Sequence, residues 1–164
     1  MKKFIISFVF CTFSFTAVFA QSKIQKFVKG NIQDKISSVK ESSGEDAVFL
    51  SEAALDFVLE SQKLIGNDRD FDGLAVAAIL SFPQDFFEAS TEIRKNEIIK
   101  KFVSLYDIFY TAPNVQIAVL SKINSLSAIV DVSPLVKILN SHLAGNGLSV
   151  YDSSVSHLAL KSLA

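Results

Sequence analysis

Apolar residues recur along this chain at spacings of three and four, the period of helices that bury one face. Ile24, Phe27, Val28, Ile32, Ile36 and Val39 form the first such stripe, with Lys23, Lys26, Lys29, Lys35 and Lys40 between them. The spacing predicts a basic amphipathic helix over 21–44, interrupted at Gly30–Asn31. Ser42 and Glu45 have capping-box spacing, and Glu45 and Asp46 suit a positive helix end. A helix is expected from Glu45 to Ile65, striped by Ala47, Leu50, Ala54, Phe57, Val58 and Leu64 and stopped by Gly66–Asn67. Another begins near Asp72 and ends before Pro83. Ser90–Thr91 caps the next, which carries Ile98, Ile99, Phe102, Leu105, Tyr106 and Phe109. Thr111-Ala112-Pro113 ends it, and Pro113 suits a first helical position. Ser133–Pro134 starts a further helix with Leu135, Val136, Ile138 and Leu139. Ala144-Gly145-Asn146-Gly147 breaks it, and Asp152-Ser153-Ser154 opens the last. No stretch alternates apolar and polar residues as a half-buried strand would. The expected fold class is all-α.

The second helix of each expected pair repeats one pattern. Leu74–Phe82, Val115–Ile123 and Val155–Leu163 each place apolar residues at offsets 0, +3, +4, +5 and +8, with Ala at +3 or +4. Their starts lie 41 and then 40 residues apart. Small alanines permit close helix approach, and the large residues around them fill the layer between hairpins. One hairpin cannot bury both faces, so a period of this length implies hairpins that stack.

On these residues the chain resembles the HEAT-repeat family, an armadillo-type helical repeat, over 45–164. Asn114-Val115-Gln116-Ile117-Ala118-Val119-Leu120 is the nearest match to the family's Val-x-x-Ala-Ala-x-x-Leu helix. The resemblance implies a short right-handed stack of three antiparallel helical hairpins, a HEAT-like α-solenoid. The family usually carries Asp in the turn and Arg just after the first apolar position. Ala75, Gln116 and Ser156 occupy those Arg positions here, so a ladder of stacked charges is not expected.

Ahead of these helices stands a different segment. Met1-Lys2-Lys3 is a short basic start, Phe4 to Phe19 is uncharged and contains six Phe, and Val18-Phe19-Ala20 offers a cleavage site before Gln21. This is the pattern of a secretory signal peptide over 1–20, too short for a membrane span of about 20 residues. Cys11 follows Phe10 rather than a small residue, which argues against lipid attachment. The expected location is therefore periplasmic or secreted. Cleavage leaves a cysteine-free chain with 14 basic and 17 acidic residues, held by packing alone.

Composition narrows the function. The 164 residues are 49% hydrophobic and 20% charged, with 16 Lys+Arg against 17 Asp+Glu, no Trp, one Cys and two His. That is enough to fill one core, and it excludes a disulfide framework or a thiolate zinc site. Balanced charge gives no footprint for nucleic acid. The basic N-terminal helix is the only expected route to a membrane, and Ile and Val in its stripe, rather than Trp or Leu, favour a solvated face.

Asp68, Asp70 and Asp72 with Gly73 match the first half of an EF-hand loop. Ile79 stands where the closing Glu belongs, and a hard cation needs about 6–8 oxygens, so they are read as a polar turn that caps a helix and at most a weak calcium site. His142 and His157 have no Cys, Asp or Glu three or four residues away to orient them. No nucleophile elbow or phosphate loop occurs. No catalytic residue, cofactor or metal is expected.

The expected role is that of an exported, non-catalytic scaffold or adaptor that binds a protein; the rival is a carrier of a hydrophobic ligand between helices. Four residues are candidates for partner contact. Phe86 and Phe87, flanked by Asp85 and Glu88, would serve as an exposed anchor or plug a gap between hairpins. Leu158 and Leu163 fall in a final helix whose leucines spread around the axis at about 100° per residue, leaving an end surface for a partner or a second copy.

Overall fold

The computed structural model describes residues 23–65 and 71–144, with positions 155, 158 and 161. The expected leader and the Gly66–Asn67 stop lie outside the described residues. The elements are α1 (23–29), α2 (Ile32–Lys40), α3 (Gly44–Ile65), α4 (Asp72–Ser81), α5 (Gln84–Ala89), α6 (Glu92–Ile108), α7 (Pro113–Leu126) and α8 (Ser133–Ala144). Positions 155, 158 and 161 are also helical, and no strand occurs among the described residues. The fold is all-α.

Local chemistry sets the boundaries. The N-terminal helix expected over 21–44 is two helices. A Cβ on Gly30 would sit 2.4 Å from both the Asp34 Cβ and the Lys26 carbonyl oxygen, so only glycine fits that approach. Asn31 then starts α2 with a full capping box: its Oδ1 accepts from the Asp34 N–H at 3.0 Å, and Asp34 Oδ2 accepts from the Asn31 N–H at 3.2 Å.

The box expected at Ser42 and Glu45 does not form in that register. The Ser42 hydroxyl instead donates to the Val39 carbonyl at 2.6 Å, closing α2. Gly44 takes φ +59° at the start of α3, a left-handed conformation that favours glycine. Thr91 caps α6 by accepting from the Arg94 N–H at 3.4 Å, and Pro113 opens α7. Asp131 accepts from the Ser133 N–H at 2.9 Å ahead of α8.

Helix α4 packs on α2, α3 and α7, while α6 packs on α3, α7 and α8; α2 also touches α3. The repeated positions are what fill these seams. Leu74, Ala77, Ala78, Ile79 and Phe82 are all buried, as are Val115, Ala118, Val119, Leu120 and Ile123. In the third unit Val155 is buried and Leu158 packs partly against the core. Each fully buried Leu, Ile or Phe contributes roughly 1.5–3 kcal/mol relative to exposure.

Helix α5 has no counterpart in the periodicity, being six residues long. It delivers Phe86 and Phe87 to a cluster with Phe82 and Phe102, ring centroids 5.1–6.4 Å apart. Such pairs add about 0.5–1.5 kcal/mol beyond their burial.

Candidate interaction face

Charge is partitioned among the helices. On α3, Glu52 receives hydrogen bonds from Arg94 and Lys101 of α6, the latter at 3.0 Å. Lys101 also pairs with Asp56 at 2.6 Å, and Arg94 with Glu97 at 3.0 Å. Burial alone would push the Glu52 carboxyl up, but the hydrogen bonds from Lys101 and Arg94 outweigh it and hold the group below its ordinary value. Lys101 is the mirror case: burial lowers it, and Asp56 and Glu52 together raise it. Glu97 and Glu52 raise Arg94 further. These charges are committed to one another and tie α3 to α6.

A second set of cations serves helix ends. Carbonyls in the last turn of a helix lack intrahelical donors and carry partial negative charge. Lys23 donates to the Glu41 carbonyl closing α2 at 2.5 Å, and Lys122 to the Phe82 carbonyl closing α4 at 2.5 Å. Burial pushes the Lys122 ammonium below its ordinary value. Lys95 is buried, donating to Glu92 at 2.8 Å and to the Ile129 carbonyl after α7 at 3.2 Å. Lys35 corrects the expected basic outer face. It is buried, donates to the Phe27 and Val28 carbonyls at the end of α1, and lies 5.0 and 5.1 Å from the ring centroids of Phe27 and Phe57.

Helices α4 and α7, which pack on each other, are almost free of charge. Asp72 is the single charged residue of α4 and Lys122 that of α7. Leu80 of α4 is 55% exposed, one turn after half-buried Val76. On α7, half-buried Ile117 is followed one turn later by exposed Ser121, with Asn114 and Ser125 also exposed. The result is a charge-poor strip, crossed by Lys122 at the end of α4, with apolar side chains reaching solvent. Phe49 and Ile93 are exposed too, but Phe49 has Glu45, Asp46 and Glu52 on its helix face and Ile93 stands between Glu92 and Glu97.

The residues singled out in the sequence divide. Phe87 is fully buried in the aromatic cluster, which withdraws it as an exposed anchor and leaves it the gap-filling role. Phe86 is half-buried, with the Arg94 guanidinium 5.9 Å from its ring centroid. Leu158 is half-buried against the core, and Leu163 lies outside the described residues. Asp72 begins α4; Asp68 and Asp70 are outside the described residues, as are His157 and the side chain of His142. Among the described residues no three His, Cys, Asp or Glu are grouped to hold a metal ion, and no helix is long and apolar enough to cross a membrane. The charge-poor strip itself was not marked by any motif; its signal was the near absence of Asp, Glu, Lys and Arg from 73–82 and 113–126. No family model, curated protein or solved structure matches the chain.

Proposed function

We propose that this chain is an exported, non-catalytic HEAT-like stack of helical hairpins that binds a partner protein along the face formed by α4 and α7. The charge-poor strip carries the reading: its neighbours α3 and α6 carry many charged residues, the Glu52–Lys101–Asp56 network among them, whereas Leu80, Val76 and Ile117 reach solvent from two helices that hold one charged residue each. Interface centres are depleted of charge in the same way. The order of packing supports the stacked arrangement, since α3, α6 and α8 touch in succession and so do α2, α4 and α7. The burial of ten of ten described repeat positions on α4 with Phe82 and on α7 supports it from the sequence side. The unpaired hydroxyl of Ser51 and the Oδ1 of Asn96 are single buried atoms in separate helices and supply no reaction centre.

A photo-crosslinking residue at Leu80, compared with one at Lys100 on charged α6, tests the assignment in the producing cell. A discrete adduct from position 80 and none from 100 is expected. Adducts from both positions alike, or from neither, would overturn the choice of face.

A further inference from the structure

The charge of this chain is unevenly distributed. Residues 21–40 hold five lysines and one aspartate, a net of +4, while residues 41–164 hold nine basic and sixteen acidic residues, a net of −7. The single acid of the first segment, Asp34, is committed to the Asn31 cap and lies 4.0 Å from Lys26. Lys23 is anchored on the Glu41 carbonyl, so the Lys40 end of α2 lies against the start of α1. Lys26, Lys29 and Lys40 are exposed.

Val28 separates this patch from an ordinary solvated face. Its spacing assigns it to the core stripe, yet it is 67% exposed. At about 100° per residue, Val28, Gln25, Lys29 and Lys26 follow one another around the outer arc of α1, with buried Phe27 opposite. An exposed valine on the same arc as two lysines combines a group that prefers to leave water with groups attracted to negative charge. The face offers no arginine and no exposed aromatic ring for bases to stack on, which a nucleic-acid surface uses.

From this juxtaposition we infer that the α1–α2 face docks on an anionic phospholipid bilayer, with Lys26, Lys29 and Lys40 at the headgroups and Val28 entering the interface. The acidic remainder of the chain is repelled by the same surface, so only this end is presented to it. Each lysine near an anionic bilayer strengthens partitioning roughly fivefold.

Co-sedimentation of the protein as isolated with phosphatidylglycerol/phosphatidylcholine vesicles, against phosphatidylcholine alone, decides this. Binding to the anionic vesicles is expected, and its loss in about 1 M salt, where the Debye length is ~3 Å. K26Q/K29Q should weaken it roughly 25-fold, and the charge-matched K100Q/K137Q pair should leave it unchanged. V28S should weaken it while keeping the salt dependence. Equal binding to neutral vesicles, no binding to anionic ones, or full binding by K26Q/K29Q would overturn the proposal. Wild-type binding by V28S would overturn the entry of Val28 into the interface, and capture by heparin without vesicle binding would reassign the patch to a soluble polyanion.

Discussion

Ala118→Leu tests whether the repeated small residue is a packing requirement. Ala118 lies one turn before Lys122 on α7, and Lys122 reaches the Phe82 carbonyl at the end of α4. Side chains four apart share a helix face, so Ala118 also looks toward α4. It is 4% exposed, and Val115, Val119, Leu120 and Ile123 around it are fully buried. Leucine adds three carbons. Were there room, they would be worth about 0.8 kcal/mol each, a stabilisation of roughly 2.4 kcal/mol. In a seam already closed on all sides the sign reverses, and the cost is about 1–3 kcal/mol. A urea titration reads this as a lower midpoint at unchanged slope. Ser121→Leu, at an exposed position on the same helix, is the control and should stay within about 0.5 kcal/mol of wild type. Equal or greater stability of Ala118→Leu would refute the packing argument, because it would mean space between α4 and α7.

Lys35→Ala should cost about 1–3 kcal/mol in the same assay, since it strips the Phe27 and Val28 carbonyls of a donor and two rings of their cation; no change would remove Lys35 from the core. Gly44→Ala forces a side chain into φ +59° and should cost about 1–2 kcal/mol with open space around it, isolating backbone strain from contact. For Glu52, burial raises the carboxyl but Lys101 and Arg94 lower it more. Its stabilisation is therefore full above the unfolded value of about 4.3 and is lost as pH falls through the lower folded value. Glu52→Gln should lower stability at pH 7 and flatten the decline on acidification; parallel pH curves would contradict the linkage.

Helix existence was legible because it rests on period alone. The stripes of α3, α6 and α7 and the breaks at Gly30 and Pro113 follow from spacing and turn chemistry. What escaped depended on contacts between segments. Lys35 reads as an outer residue by spacing, and only the arrival of the α1 carbonyls and the Phe57 ring makes burial of its ammonium favourable. Val28 fails in the opposite direction: the neighbouring Phe27 takes the inward position and turns it to water. Ser42 misled because a hydroxyl between two helices can serve either; here both its N–H and its hydroxyl donate to the Val39 carbonyl at the end of α2. Helix α5 is a single short segment, below the length at which a period can be recognised.

Contacts between segments also decide how the helices hold together. The positions where the resembled family carries arginine hold Ala75 and Gln116, both buried, with Gln116 Nε2 donating to the Tyr106 carbonyl at 3.5 Å. No ladder of stacked charges can form from those two. In its place, lysines from one helix satisfy the end of another: Lys122 crosses from α7 to the end of α4, Lys95 from α6 to the turn after α7, and Lys23 from α1 to the end of α2. Each bond adds only about 1 kcal/mol net, but loss of the Lys122 or Lys95 bond strands an acceptor in partly buried surroundings, which costs more than the bond gained, whereas water can replace the exposed Lys23 bond. That asymmetry penalises separating neighbouring helices more than it rewards forming any one of them. Past Cys11 the chain has no cysteine to cross-link it, so cohesion between helices must come from such bonds, from the Glu52 network joining α3 to α6, and from the alanine seams that bring the helices close enough for both.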